Sequence, residues 1–198
     1  MAEMYSWDNL EKKYHNRVVL DITHIEFEKG KSYIIAGENG AGKSTLLKML
    51  AGVIDSDLES VFPKKSINVS YLPQKPYIFD LSVIDNMKIS SPYKAEKKIE
   101  KILKELDIFK LKKSKATTLS GGEKQRLAFG RIIVQPCQIL LLDEPSSAMD
   151  ENGTRLFEKL VLEYQKDNGC TIIMSTHDME QAKRMTENII YMKDGRII

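Results

Sequence analysis

The chain has 198 residues, with 30 basic and 28 acidic side chains and a formal net charge of +2. This near balance gives no general attraction to nucleic acid or to an anionic membrane surface. The hydrophobic share of 42% and the charged share of 29% are ordinary for one soluble globular domain. The apolar runs are far shorter than the roughly 20 residues of a membrane span, and the first residues lack the apolar core of a signal peptide. We therefore expect a cytoplasmic protein that reaches a membrane only through a partner.

Strand-like and helix-like segments alternate along the chain. Short runs of β-branched and apolar residues predict strands at 17–28, 32–36, 67–72, 138–142 and 170–175, and a closing hairpin at 189–198. Helices are predicted at 43–50, 94–110, 122–134, 151–164 and 178–185. This alternation predicts an α/β fold with a mostly parallel sheet.

The segment 94–115 is the most basic part of the chain, with nine lysines and four acids. Its apolar residues fall at helical spacing and predict one buried helix face, made of Ile99, Ile102, Leu103, Leu106 and Phe109. The lysines then occupy either a solvated face, the usual role of a charge run, or a docking surface for a partner.

Residues 37–44 read Gly-Glu-Asn-Gly-Ala-Gly-Lys-Ser and match the phosphate-loop pattern G-x-x-x-x-G-K-[ST]. A predicted strand precedes the loop and a predicted helix follows it, which disfavours a glycine turn that binds nothing. Lys43 would contact the β- and γ-phosphates, and the Ser44 hydroxyl would ligate Mg²⁺ at the positive end of the helix. The residues predicted to bind nucleotide here are Asn39, Gly40, Ala41, Gly42, Lys43, Ser44 and Thr45.

Two adjacent acids follow a strand that is apolar on both faces. Asp143 ends the run 139–143, and Glu144 comes directly after it. Ligands bind at the carboxyl edge of open α/β sheets, so Asp143 is expected in the Mg²⁺ shell. Glu144 projects differently and would orient or deprotonate the attacking water. A solvated turn is the alternative, which the phosphate loop disfavours.

Residues 119–126 read Leu-Ser-Gly-Gly-Glu-Lys-Gln-Arg. Ser120 precedes a predicted helix, and the glycines after it let backbone N–H groups approach an anion. The segment resembles the LSGGQ signature of ATP-binding cassette (ABC) ATPases. The resemblance implies that Ser120, Gly121 and Gly122 contact the γ-phosphate of ATP held by the phosphate loop of a second subunit.

Further segments extend this resemblance. Gln74 looks like the Q-loop glutamine that contacts Mg²⁺ and water, and His177 looks like the switch histidine at the γ-phosphate. Residues 145–150 resemble the D-loop, and Tyr14 takes the place of the aromatic that stacks on adenine. The resemblance implies ATP and Mg²⁺ as ligands. It assigns catalysis to Glu144, His177, Lys43 and Gln74, and it assigns metal binding to Ser44, Gln74 and Asp143.

The resemblance spans about residues 7–198 and implies a single ABC ATPase domain with a P-loop NTPase core. The core is expected at 1–73 and 116–198, with a compact helical insert at 74–115. Only short stretches separate Leu50 from Ile67 and Gln74 from Ser120. We therefore expect a small antiparallel β region and a short insert.

The function expected from the resemblance is that of the ATPase subunit of a membrane transporter. Two copies would pair head to tail around two MgATP, and a separate membrane-spanning subunit would dock near residues 74–115. Residues 76–86 and 176–184 resemble oxyanion importers, the second segment their tungstate branch. The alternatives are a small exporter ATPase and a non-transport ABC ATPase acting on nucleic acid or ribosomes. Nucleic acid is not expected as a partner, because this chain has one cassette and the basic insert lacks interleaved aromatics beyond Phe109.

Overall fold

The computed structural model describes residues 3–59, 67–91 and 95–198. Its strands are β1 (Met4–Tyr14), β2 (Arg17–Glu28), β3 (Ser32–Ala36), β4 (Val69–Leu72), β5 (Ile139–Asp143), β6 (Thr171–Thr176), β7 (Ile189–Lys193) and β8 (Arg196–Ile197). Its helices are α1 (Lys43–Leu50), α2 (Val83–Ile89), α3 (Glu96–Glu105), α4 (Gly121–Ile133), α5 (Glu151–Asn168) and α6 (Met179–Met185).

Six strands form one sheet in the order β4-β5-β6-β3-β7-β8. All neighbouring pairs are parallel except β7 and β8, which close the sheet as an antiparallel hairpin. Successive residues of the central strands point to opposite faces, so Leu140 and Leu142 pack in one core and Ile139 and Leu141 in another. Strands covered on both faces explain the continuous apolar runs of the sequence, and the predicted α/β fold is confirmed.

A second sheet consists of β1 and β2, an antiparallel pair joined by His15 and Asn16. Both turn residues have left-handed φ values, 48° and 63°, as a two-residue hairpin of the right twist requires. Strand β1 was not predicted, because Asn9, with a left-handed φ of 56°, breaks the alternation between the buried residues Trp7 and Leu10, and because its turn lacks a glycine. Trp7 and Leu10 on the inner face pack against α1 in the second core.

The segment between β4 and α4 is helical, but its helices differ from the prediction. Helix α3 ends at Glu105 and not near 110, because Asp107 takes a left-handed φ of 53° that interrupts the helix. The predicted start at Lys94 lies outside the described residues. Helix α2 was not predicted; Ser82 caps it by accepting a hydrogen bond from the Asp85 N–H at 3.2 Å. The division into core and insert stays a prediction.

None of the helices within 3–59, 67–91 and 95–198 is both long and apolar enough to cross a membrane.

The order of the strands brings three loops to one edge of the sheet. Strand β3 lies next to β6, and β6 lies next to β5. The phosphate loop follows β3, Glu144 follows β5, and His177 follows β6. Because these strands are parallel, their carboxyl ends meet at the same edge, which is where ligands bind in open α/β sheets.

The turn between β7 and β8 packs against β2, which predicts a large effect of replacing Gly195. This glycine has φ +79°, and a Cβ added to it would lie 2.5 Å from the carbonyl oxygen of Val19. We expect Gly195→Ala to lower the free energy of unfolding by about 3 kcal/mol, from backbone strain and overpacking together. Gly169 is the control, since it has φ +64° and its added Cβ meets no described atom within 4 Å.

Gly169→Ala should therefore cost only about 1 kcal/mol. Urea unfolding of the two variants checks the difference, and equal losses would contradict the steric argument.

Candidate functional site

The phosphate loop is held in shape by backbone contacts to two neighbouring segments. Gly40 and Gly42 have φ values of 86° and 99°, a region that side chains rarely adopt. A Cβ on Gly42 would lie 2.8 Å from the Val19 carbonyl oxygen, so close packing also requires glycine here. The Gly195 N–H donates to the Ala41 carbonyl at 3.0 Å and fixes the other side of the loop.

Lys43 is the first residue of α1, and only 4% of it is exposed. Its ammonium donates to the carbonyl oxygens of Gly37 at 2.7 Å and Glu38 at 3.0 Å. The Glu144 carboxylate is farther away, at 3.5 Å. A buried cation satisfied mainly by neutral carbonyls retains a strong attraction for an anion. This chemistry fits the phosphates of a nucleotide.

Asp143 is buried at the end of β5, and three hydroxyl groups surround its carboxylate. Oδ1 accepts hydrogen bonds from Ser44 at 2.9 Å and Ser175 at 2.8 Å. Oδ2 accepts one from Tyr71 at 3.3 Å, and burial beside Asp143 raises the pKa of this phenol.

The same group of oxygens fits Mg²⁺ bound together with phosphate. The described residues contain no cluster of three or more His, Cys, Asp or Glu side chains that could hold a metal alone. Mg²⁺ needs no such cluster, because it binds through one or two carboxylates, substrate phosphates and water. The hydroxyl of Ser44 and the carboxylate of Asp143 are already neighbours, as the sequence predicted.

Glu144 is the centre of a second polar group. Its Oε2 accepts a hydrogen bond from Gln74 Nε2 at 3.1 Å and lies 3.2 Å from His177 Nδ1. Its backbone has a left-handed φ of 42°, and its N–H donates to the carbonyl and hydroxyl oxygens of Ser175. Strain of this kind is typical of functional sites, because the surrounding structure must hold it. The side chain is thereby turned away from Asp143 towards Gln74 and His177.

These groups surround one pocket of about 510 Å³. The predicted catalytic residues Lys43, Gln74, Glu144 and His177 all line it. The other lining residues are Val19, Asn39, Gly40, Gly42, Ser44, Thr45 and Ser147. The structure thus brings together residues that are far apart in the sequence, from the phosphate loop to His177, which directly follows β6.

Tyr14 lies apart from this pocket. It is 46% exposed at the end of β1, beside the hairpin turn, and is not among the described lining residues. Stacking of Tyr14 on adenine stays a prediction.

The signature segment begins α4 and is also outside the lining of the pocket. The Ser120 hydroxyl accepts from the Glu123 N–H at 3.3 Å, and the Glu123 carboxylate accepts from the Ser120 N–H at 2.8 Å. This reciprocal cap fixes the start of the helix, where Gly121 and Gly122 follow Ser120. A Cβ added to Gly121 would lie 3.2 Å from Ala148, and one added to Gly122 would lie 3.4 Å from Met149. The signature and the D-loop are therefore packed on each other.

Sequence reasoning missed three polar residues of the site: Tyr71, Ser175 and Gln181. Each one contacts a predicted functional segment through its side chain, but none belongs to the motif that it supports. Ser175 was read as part of a buried strand, and its hydroxyl in fact binds Asp143. The sequence signal that could have identified Tyr71 and Ser175 is their position near the carboxyl ends of predicted strands, which is also where Asp143 and Glu144 lie.

The sequence matches known proteins along nearly its whole length. Residues 20–147 match the family model described as ABC transporter. The ATP-binding protein of a tungstate uptake system from Peptoclostridium acidaminophilum is 35% identical, over 96% of this chain and 94% of that protein. A molybdate/tungstate import ATP-binding protein from Thermococcus kodakarensis is 33% identical, over 96% of this chain and 62% of that protein. A zinc import ATP-binding protein from Aliivibrio fischeri is 31% identical, over 98% and 80%.

Solved structures agree with this assignment. The protein cbiO1 from Clostridium perfringens, part of an ABC transporter complex, superposes with a TM-score of 0.84 at 29% identity and covers 99% of this chain and 88% of that one. A nucleotide-free ATP-binding cassette superposes with a TM-score of 0.86 over 100% of this chain and 90% of that one, and at 23% identity it supports the fold alone. By the family model, the relatives and the fold together, the chain belongs to the ABC transporter family, as an ATP-binding subunit.

Proposed function

We propose that this chain hydrolyses MgATP to ADP and phosphate and that the reaction drives a separate membrane-spanning transporter subunit. The observation that carries the proposal is the convergence of Lys43, Gln74, Glu144 and His177 on one pocket. These groups suit phosphoryl transfer to water: the ammonium at the start of α1 can bind phosphate, the carboxylate can accept a proton, and the amide and imidazole can orient water.

Each residue has a distinct role in this reaction. The phosphate loop binds the β- and γ-phosphates through backbone N–H groups and Lys43. Glu144 accepts a proton from the attacking water, which Gln74 and His177 help to orient. Ser44, Asp143 and Gln74 would hold Mg²⁺, which would neutralise charge on the β- and γ-phosphates.

The proposed working form is a head-to-tail dimer, most simply of two identical chains. Support comes from the position of Ser120, Gly121 and Gly122, which begin a helix outside the lining of the chain's own pocket. A helix start that exposes backbone N–H groups suits an anion supplied by a second chain.

The proposed membrane partner contacts the insert near residues 74–115. Large apolar side chains are exposed at the start of this segment: Tyr77 at 70%, Leu81 at 45% and Ile89 at 48%. Arg131 of α4 joins this surface to the signature helix, because it donates to the Tyr77 carbonyl at 2.8 Å and lies 5.1 Å from the Phe79 ring. A partner that pushes on this surface would thus act on the helix that begins with the signature.

We propose import of a tungstate-like oxyanion as the transport reaction. The proposal rests on the resemblance of residues 176–184 and on the tungstate relative at 35% identity. The chain itself would lie against the inner face of the membrane through its partner.

Affinity purification from native membranes in mild detergent tests the proposed function. We expect a multi-spanning membrane protein in about equal amount with the wild-type chain, and much less of it with Leu81→Asp. Leu58→Asp is the control, because Leu58 is similarly exposed at 48% but lies outside the insert. Recovery of ribosomes or nucleic acid without a membrane protein would overturn the transport proposal.

The contact between Tyr71 and Asp143 predicts a change in the Mg²⁺ requirement. In Tyr71→Phe the Asp143 carboxylate loses one of its three orienting hydroxyls. We expect the free Mg²⁺ that gives half-maximal ATP hydrolysis to rise about tenfold, as for other outer-shell contacts of metal ligands. Tyr33→Phe is the control, because the Tyr33 hydroxyl accepts a hydrogen bond from the Glu28 N–H at 2.9 Å, and neither residue is among the described residues that line the pocket. An unchanged Mg²⁺ requirement would show that Tyr71 does not support the proposed Mg²⁺ site.

A further inference from the structure

Gln181 is a buried polar residue of α6 that the reaction described above does not use. Only 2% of it is exposed, and its carboxamide makes three side-chain hydrogen bonds. Its Oε1 accepts from the Thr176 hydroxyl at 2.9 Å. Its Nε2 donates to the Ser146 hydroxyl at 2.8 Å and to Glu158 Oε1 at 3.3 Å. A fully bonded carboxamide of this kind specifies one arrangement of its neighbours.

Two of these neighbours belong to the segments that carry the reactive groups. Thr176 is the last residue of β6, directly before His177, and its hydroxyl also accepts from the Asp178 N–H at 3.0 Å. Ser146 comes two residues after Glu144 and begins the D-loop turn, in which the Met149 N–H donates to the Ser146 carbonyl at 2.9 Å. Gln181 therefore bridges the end of β6 and the start of the D-loop.

The third neighbour explains why residue 181 is an amide. Glu158 is buried on α5, and Arg184 donates to both of its oxygens, at 3.0 and 2.6 Å. A carboxylate can only accept, so the group that faces Glu158 from position 181 must be a donor. The hydroxyls of Thr176 and Ser146 can donate or accept, but Glu158 would repel a second carboxylate.

We propose that Gln181 is a positioning residue that holds the D-loop and the His177 segment in one arrangement, and that Glu158 makes an amide necessary at this position. The inference rests on the proposed roles of Glu144 and His177 only for its effect on hydrolysis. Its structural part concerns the nucleotide-free chain and stands or fails separately.

The first test is amide hydrogen exchange of the nucleotide-free full-length chain. In Gln181→Glu we expect peptides covering residues 144–150 to exchange at least tenfold faster, because Glu158 repels the new carboxylate and displaces it from Ser146. Glu158→Gln in the same molecule should slow this exchange again, since it removes the repulsion between two carboxylates and leaves Arg184 one acceptor oxygen on residue 158. Wild-type exchange in Gln181→Glu, or failure of the second substitution to restore it, would overturn the proposal.

The second test is the kinetics of ATP hydrolysis with the same variants. We expect Gln181→Glu to lower kcat at least about tenfold, the usual effect of losing a contact that orients a reactive group. Equilibrium ATP affinity should stay within twofold, because the network contacts neither Lys43 nor the phosphate loop. The double variant Gln181→Glu with Glu158→Gln should recover most of kcat.

A matched control separates positioning from loss of stability. Phe157 is buried against Phe129 and takes no part in the hydrogen-bond network of Gln181, so we expect Phe157→Leu to lower the unfolding temperature and to leave these hydrogen bonds in place. At equal destabilisation it should keep kcat near the wild-type value, and an equal loss of kcat would reduce Gln181 to a structural residue. Glu144→Gln tests the proposed function separately, because normal ATP hydrolysis by this variant would contradict the proposed function. The hydrogen-exchange result would still decide the role of Gln181.

Discussion

Glu144→Gln is expected to lower ATP turnover by about a hundredfold or more, while the protein still binds MgATP. The substitution keeps the shape of the side chain but removes the one carboxylate among the described lining residues, which lies beside Gln74 and His177 and is placed to accept a proton. General bases contribute roughly 10²–10⁴ to a rate, so loss of the base accounts for a drop of this size. The measurement is phosphate release at saturating MgATP.

The same variant should form an ATP-dependent dimer that persists, because in the proposed dimer ATP would join the two chains and hydrolysis would no longer release them. Size-exclusion chromatography with light scattering, with and without MgATP, detects it. Glu151→Gln is the control, since the side chain of this acid on α5 is 85% exposed. Its isosteric replacement should change neither the ATP turnover nor the molecular mass measured with and without MgATP. Turnover near the wild-type rate in Glu144→Gln would reject Glu144 as the base.

The parts of the site that could be predicted are those in which several residue types must occur at fixed spacing. Gly40, Gly42 and Lys43 form such a set, since the left-handed φ values of the glycines and the buried ammonium follow directly from the pattern. Strands β3, β5 and β6 could be predicted equally well, because a strand that is buried on both faces appears in the sequence as a short apolar run.

The elements that escaped prediction lack such local signals. In strand β1 the buried residues Trp7 and Leu10 are three positions apart, because Asn9 between them has a left-handed φ that breaks the alternation, and the turn after the strand lacks glycine. Helix α3 has strong apolar spacing that continues to Phe109, but Asp107 stops it in a way that periodicity does not reveal.

Contacts between distant segments were the least predictable part. Tyr71 reaches Asp143 across 72 positions of the sequence, and Gln181 reaches Ser146 across 35. In both cases the supporting residue is an ordinary polar side chain, and only the strand order places it beside the motif. Motifs therefore identified the groups that we propose to touch the nucleotide, whereas the residues that orient those groups could be identified only from the fold.

Lys43→Met is expected to weaken ATP binding about a hundredfold, which corresponds to about 3 kcal/mol. Methionine fills a similar volume, but the substitution removes the ammonium of Lys43. This residue is 4% exposed, and its ammonium donates to the carbonyls of Gly37 and Glu38. The loss is large because a buried charge interacts strongly with phosphate where water is excluded. Titration calorimetry with a non-hydrolysable ATP analogue measures it.

Stability should not follow affinity in this variant. In the nucleotide-free chain the ammonium is desolvated, and its ion pair with Glu144 is long at 3.5 Å, so removing the ammonium relieves a desolvation cost that this pair offsets only in part. We therefore expect the unfolding temperature of the nucleotide-free Lys43→Met protein to be equal to or above that of the wild type. Lys48→Met, on the same helix, should leave ATP affinity unchanged. A Lys43→Met protein that unfolds at a markedly lower temperature without ATP would show that Lys43 stabilises the loop itself, whereas lost affinity in a stable protein assigns its buried charge to the nucleotide.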